Sequence, residues 1–141
     1  MSHRFTYLAL DSRAEAQRRD KDAGVLQIGF DIRNIPKYLH NARVFVAPLR
    51  FGAGIKGKVG EAMAHGLPVV TTSIGAEGFG LTHGLDVMIG DDPKSFAEAI
   101  EQLYLQKELW QRVAVNSRHR IEKHFTPEVV AETINNSIKD L

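Results

Sequence analysis

VFVAPLRFGAGIKGKVGEAMAHGLPVVTT, residues 44–72, runs from strand through a glycine loop and a helix into a second strand. The apolar run at 44–49 does not alternate with polar residues, so it predicts a strand buried on both faces. Residues 51–57 place glycine at Gly52, Gly54 and Gly57, and a helix follows to about His65. Gly66 and then Pro68 supply a stop signal. Residues 69–72 begin the next strand. A strand that returns through a helix to another buried strand pairs in parallel by a right-handed crossover.

The flanks repeat this alternation. Upstream, 5–10 (FTYLAL) predicts a strand, 12–22 is charged and rich in helix formers, and 25–29 (VLQIG) predicts a second strand. Residues 34–42 read as a short amphipathic helix with Ile35, Tyr38, Leu39 and Ala42 on one face and Pro36 in its first turn. Downstream, 73–84 reads as a long loop and 86–89 as a short strand. Asp91 or Asp92 can cap a helix from Pro93 to about Leu105 that faces Phe96, Ala97, Ile100, Leu103 and Tyr104 inward. Two more helices are predicted at 109–125 and 127–138, the last capped by Thr126. The fold class is therefore α/β: one doubly wound, Rossmann-like parallel sheet with helices on both faces, spanning residues 1–141. Such folds bind ligands beyond the carboxyl ends of the strands. Here those ends carry Gly29 and Phe30, residues 49–58 and residues 73–84.

Composition narrows the function. Lys and Arg total 18 against 17 Asp and Glu, a net charge of +1, which offers no extended cationic surface for nucleic acid. The absence of cysteine excludes disulfides, thiolate metal sites and a Cys nucleophile. No apolar run is long enough for a transmembrane segment, and the expected setting is the cytoplasm.

The chemistry concentrates in the loop. Gly52 and Gly54 let backbone approach a ligand closely, and the helix start that follows offers N–H groups and a positive dipole end. Arg50, Lys56 and Lys58 add cations, so the segment suits a pyrophosphate. On the helix, Val59, Ala62 and Met63 form the sheet-facing side, while Lys58, Glu61 and His65 form a separate polar stripe. A carboxylate at Glu61, one turn from the phosphate end, can accept two ribose hydroxyls. The plainer alternative is a turn followed by a surface ion pair between Lys58 and Glu61. The Walker pattern is absent. Gly52, Gly54 and Gly57 spell G-x-G-x-x-G, but after an internal strand rather than the first one, so the match does not indicate a dinucleotide site.

The string APLRFGAGIKGKVGEAMAHGLPVVTTSIGAEG resembles the C-terminal domain of group 1 glycosyltransferases, half of the two-domain GT-B fold. The resemblance extends upstream through Gly29-Phe30-Asp31 and Ile35-Pro-Lys-Tyr-Leu39, and downstream to about Phe125. It implies a nucleotide-diphosphate sugar donor, with Glu61 on the ribose, Lys56 and Lys58 near the diphosphate, and the turn at Gly29 and Phe30 near the base. Lys58 and Glu61 become the candidate catalytic residues, and Arg50, Gly52, Ala53 and Gly54 complete the donor-binding set. Many members carry two glutamates separated by seven residues; here Ala53 occupies the first position. Backbone groups of Gly52, Ala53 and Gly54 are the substitute for that carboxylate. The resemblance further implies transfer with retention, no required metal and no other cofactor.

The same family has an N-terminal acceptor-binding domain, which this sequence lacks, so a separate partner chain or a longer polypeptide is expected to supply it. A non-catalytic donor-binding subunit and a sugar-nucleotide epimerase are the competing functions. The apolar stripe Val130, Ile134, Ile138 and Leu141 on the last helix predicts an exposed patch or a homodimer. Glu77 lies at the same sheet edge as a weaker candidate for touching the sugar. Trp110 and Phe125 read as core, His119 and His124 as solvated, and Asp86, Asp91 and Asp92 as turn and cap residues.

Overall fold

Residues 19–20, 25–26, 39–40 and 42–139 are described by the structure, a computed structural model. In chain order the elements are β1 (Arg19–Asp20), β2 (Val25–Leu26), β3 (Phe45–Ala47), α1 (Gly57–Ala64), β4 (Val69–Thr71), α2 (Ser73–Ala76), β5 (Met88–Ile89), α3 (Pro93–Leu105), α4 (Lys107–His124) and α5 (Pro127–Lys139). Leu39 and His40 are helical. The strand expected at 5–10 lies outside the described residues, as does most of the helix expected at 34–42.

The strands β3, β4 and β5 form a parallel sheet in that order. Phe45 pairs with Val69, Val46 with Val70 and Ala47 with Thr71, and β5 continues the sheet with Met88 opposite Val70. Successive residues point to opposite faces, and both faces are covered. On one side Phe45, Ala47 and Val69 pack with Val59, Ala62 and Met63 of α1 and with Leu39. On the other, Val44, Val46, Val70 and Met88 pack with Ala99 and Leu103 of α3 and Leu109 and Val113 of α4. Each Val, Leu, Phe or Met among them, once fully buried, contributes about 1.5–3 kcal/mol, and this two-sided burial is why 44–47 reads as a continuous apolar run. The expected doubly wound sheet with helices on both faces is the observed one.

Helix ends follow local chemistry. At the end of α1 the Leu67 N–H donates to the Ala62 carbonyl at 3.0 Å and the Gly66 N–H to Met63 at 2.9 Å. This is a Schellman stop, after which the chain turns straight into β4. Asp92 caps α3, accepting from the Lys94 and Ser95 N–H groups at 3.0 Å, with Ser95 completing a capping box. Thr126 caps α5, accepting from Val129 N–H at 3.4 Å.

Three expectations need correction. Arg19–Asp20 is a strand, although its charged surroundings read as helix-forming, and it pairs antiparallel with Val25–Leu26 in a separate two-stranded sheet. Only residues 21–24 connect the two strands, and a connection that short permits an antiparallel hairpin but no parallel crossover. Within the expected loop 73–84, Ser73–Ala76 forms a single helical turn capped by Thr72. On α3 it is Ala99, not Ala97, that is buried; Phe96, Ile100 and Tyr104 are half-buried.

Candidate functional site

At the carboxyl end of β3 the chain leaves the sheet into the glycine loop, and the threonines that end β4 hold its base. Thr71 Oγ1 donates to the Ala47 carbonyl at 2.8 Å, and Thr72 Oγ1 to the Leu49 carbonyl at 2.6 Å. Thr72 also accepts from the Gly75 N–H at 3.2 Å, so one hydroxyl joins the loop to α2. Beyond Leu49, Arg50, Phe51, Gly52, Ala53 and Gly54 are all exposed. Gly52 and Gly54 have φ of 133° and 76°, a region that strongly favours glycine, so the loop's path depends on these two residues.

The loop closes on Lys56. Its ammonium donates to the Gly54 carbonyl and stands 3.9 Å from Glu77 Oε2, and its side chain is largely buried. Lys56 is also the N-cap residue of α1, with no side-chain cap bond and no acidic residue in the first turn. Its carbonyl accepts from Val59 N–H at 3.0 Å and Gly60 N–H at 3.2 Å. The positive end of α1 thus faces the loop without a side chain of its own to neutralise it, which is the arrangement that binds anions.

On the first turn, Lys58 Nζ donates to Glu61 Oε2 at 2.9 Å, both side chains about one-third exposed. Val59, Ala62 and Met63 are buried on the other side, as the spacing predicts. The structure therefore brings Arg50, Gly52, Ala53, Gly54, Lys56, Lys58 and Glu61 to one sheet edge. Gly29 and Phe30 lie outside the described residues. His65 is not at this edge. The helix is about 12 Å long at ~1.5 Å per residue, and His65 sits at its far end, with its Nδ1 3.2 Å from His40 Nε2.

A second group at the same edge escaped sequence reasoning. Ser73 donates to Asp91 twice, from its N–H at 2.7 Å and its hydroxyl at 2.6 Å. The hydroxyl bond, then the N–H bond, holds the Asp91 carboxyl below its ordinary pKa. Asp92 is lowered first by the Ser95 N–H and then by the Ser95 hydroxyl. Asp91 is thus a clamp between the ends of β4 and β5, while Asp92 is the cap. Asp86 is a turn residue, accepting from Thr82 N–H at 2.7 Å and pairing with Arg120 at 3.4 Å. Trp110 and Phe125 pack against the two cores, as expected, and His119 and His124 are exposed.

Fold and loop together define a doubly wound α/β domain whose carboxyl edge carries a glycine loop, an uncapped helix start and clustered lysines. Residues 8–106 match the family model of glycosyl transferases group 1, and the chain belongs to that family. It is 31% identical over 105 residues to the putative glycosyltransferase YtcC of Bacillus subtilis (strain 168), covering 72% of this chain and 26% of that protein. It is 31% identical over 137 residues to the lipopolysaccharide core biosynthesis mannosyltransferase LpsB of Rhizobium meliloti (strain 1021), covering 91% of this chain and 38% of LpsB. A crystal structure of Anabaena Alr3699/HepE in complex with UDP-glucose superposes with a TM-score of 0.73 at 17% identity, covering 97% of this chain and 41% of that one. The fold is thus that of one α/β half of a GT-B enzyme, and the chain spans well under half the length of these relatives. Among the described residues no helix is long and apolar enough to cross a membrane.

Proposed function

We propose that this chain is the donor-binding part of a group 1 glycosyltransferase, holding a nucleoside-diphosphate sugar for transfer, with retention, to an acceptor bound by another domain or chain. The observation that carries this reading is the uncapped start of α1 directly behind the Gly52–Gly54 loop, with Lys56, Lys58 and Glu61 around it. Backbone N–H groups and the two ammonium groups of this loop and first helical turn would stabilise a departing diphosphate most where its charge grows. Glu61 then accepts the ribose hydroxyls, Arg50 adds charge at the loop's entrance, and Gly29 and Phe30 meet the base. The chemistry is electrostatic and uses no metal, and the setting is the cytoplasm. The UDP-glucose bound by the structural neighbour HepE supports a nucleotide-sugar ligand.

The test is calorimetric titration of the chain with uridine, guanosine and adenosine diphosphates. Binding of at least one is expected; no binding of any at millimolar concentration would overturn the reading. A second reading, a non-catalytic donor-binding subunit of a two-chain enzyme, is favoured by the exposed apolar stripe on α5. Sugar transfer by the chain without a partner would exclude it.

A further inference from the structure

Two histidines at the far end of α1 stand outside the nucleotide-binding set. His65 is the C-cap residue of α1, and its backbone N–H donates to the Glu61 carbonyl at 3.2 Å. His40 follows Leu39, which is buried in the core that includes Val59, Ala62 and Met63 of α1. Both backbones are thus anchored, while both imidazoles are exposed. The rings meet at 69° with centroids 5.2 Å apart, and His40 Nε2 lies 3.2 Å from His65 Nδ1.

That distance fits two arrangements. As a hydrogen bond between exposed rings, the contact competes with water at both ends and contributes little. As one edge of a coordination shell it is close to ideal, because two nitrogens held at about 2.0–2.1 Å by a tetrahedral zinc ion stand about 3.3 Å apart. The donating ring need only carry its proton on its other nitrogen for both facing lone pairs to be free. Imidazole is also the ligand that suits zinc, copper and nickel. The electrostatics agree. His65 sits at the carbonyl pole of α1, whose last turn holds no basic residue, and that pole favours a cation. Arg118, whose side chain runs near Gly66, already pairs with Glu122 at 2.8 Å. Among the described residues no group of three ligand-type side chains forms, so water completes the shell.

We propose that His40 and His65 bind a divalent transition-metal ion, which staples the helical residues 39–40 to the end of α1. The ion has no part in the chemistry at the glycine loop, about one helix length away, and the inference does not depend on the donor-binding reading. Two protein ligands and several waters make the site exchangeable, so the ion adds stability when bound without being required for the fold. A hard ion that prefers oxygen, such as Mg²⁺, gains nothing from two imidazoles.

The experiment titrates the full chain with Zn²⁺ and, separately, with Mg²⁺ by calorimetry at neutral pH, alongside the variants His40→Ala, His65→Ala and His119→Ala. One Zn²⁺ per chain is expected, and no Mg²⁺. His40→Ala and His65→Ala are each expected to weaken Zn²⁺ binding by about tenfold or more, as loss of a metal contact does; His119→Ala is expected to change nothing. Thermal melts give a second readout: Zn²⁺ should raise the midpoint of the wild-type chain and of His119→Ala, but not of the other two. Without metal all four should melt together, because the replaced rings are exposed; His40→Gln and His65→Gln serve in place of an alanine variant that does not fold. Absence of Zn²⁺ binding would overturn the proposal. So would a loss in only one of the two variants, which would break the pair. An equal loss in His119→Ala would mark general capture by surface histidines, and Mg²⁺ bound as tightly as Zn²⁺ would point to carboxylates; either would also overturn it.

Discussion

Lys58 Nζ donates to Glu61 Oε2 at 2.9 Å across one turn of α1, so the two side chains with the most specific expected roles are each other's partner. A pair this exposed contributes only about 0.2–1 kcal/mol to folding. Its strength is small beside a charge-assisted bond to a ligand phosphate, and the lysine can change partner when one arrives. Lys58→Ala is therefore expected to leave the urea midpoint nearly unchanged and to weaken nucleoside diphosphate binding by about 1–3 kcal/mol. Paired denaturation and calorimetry on one preparation check this; an unchanged affinity would return Lys58 to the solvated face.

Glu61 should behave differently, because its expected ligand is ribose rather than phosphate. Glu61→Ala is expected to reduce the affinity for nucleoside diphosphate while leaving that for inorganic pyrophosphate nearly intact. Competition titrations with the two ligands read the difference directly. Parallel losses would show that Glu61 acts by orienting Lys58.

The clamp between Ser73 and Asp91 predicts an acid response. Asp91 is held below its ordinary pKa first by the Ser73 hydroxyl and then by the Ser73 N–H, and Asp92 is lowered by Ser95. In the unfolded chain both titrate near the usual Asp value of about 3.9. The unfolded state therefore binds more protons in this window, so stability rises with pH through it. The contribution is complete above the unfolded value and is lost as pH falls through the folded one. Because both groups are exposed, the effect is screened and modest. Urea midpoints measured from neutral pH into acid should fall less steeply for Asp91→Asn with Asp92→Asn than for wild type; an identical acid limb would remove both carboxylates from the account.

The legible parts of this fold are those whose pattern is local. Residues 44–47 and 67–70 show their burial as unbroken apolar runs. Val59, Ala62 and Met63 show a helical face, and Gly66 with Pro68 marks its end. Arg19–Asp20 has no such pattern, because a two-residue strand of charged residues shows no alternation to read. A single turn such as Ser73–Ala76 is likewise too short for a period. The loop's supports were hidden for another reason. Thr71 to Ala47, Thr72 to Leu49 and Ser73 to Asp91 join positions 24, 23 and 18 residues apart, and only the folded sheet edge brings them together. The cations and glycines of the site were readable because they sit within one stretch; the side chains that brace it come from the next two strand ends.

The last prediction concerns α5 and what the chain does unaided. No residue of α5 is buried, and Val130, Ile134 and Ile138, at four-residue spacing, are 44%, 53% and 62% exposed. Such a stripe on a water-facing helix favours association. Replacing the three by serine should change the folding midpoint little, because none of them is buried. In sedimentation, the wild-type chain alone is expected to self-associate with rising concentration and the triple variant to remain monomeric. The same preparation is expected to bind donor but not to transfer its sugar. Positioning donor and acceptor against each other supplies a large part of the rate in a group transfer, and in the proposed reading the described sheet edge holds the donor alone. Water reaching that edge also weakens the contacts that stabilise a leaving diphosphate. Monomeric wild-type protein at high concentration would show that the stripe pairs no copies, and sugar transfer by the unaided chain would show that one wall is enough.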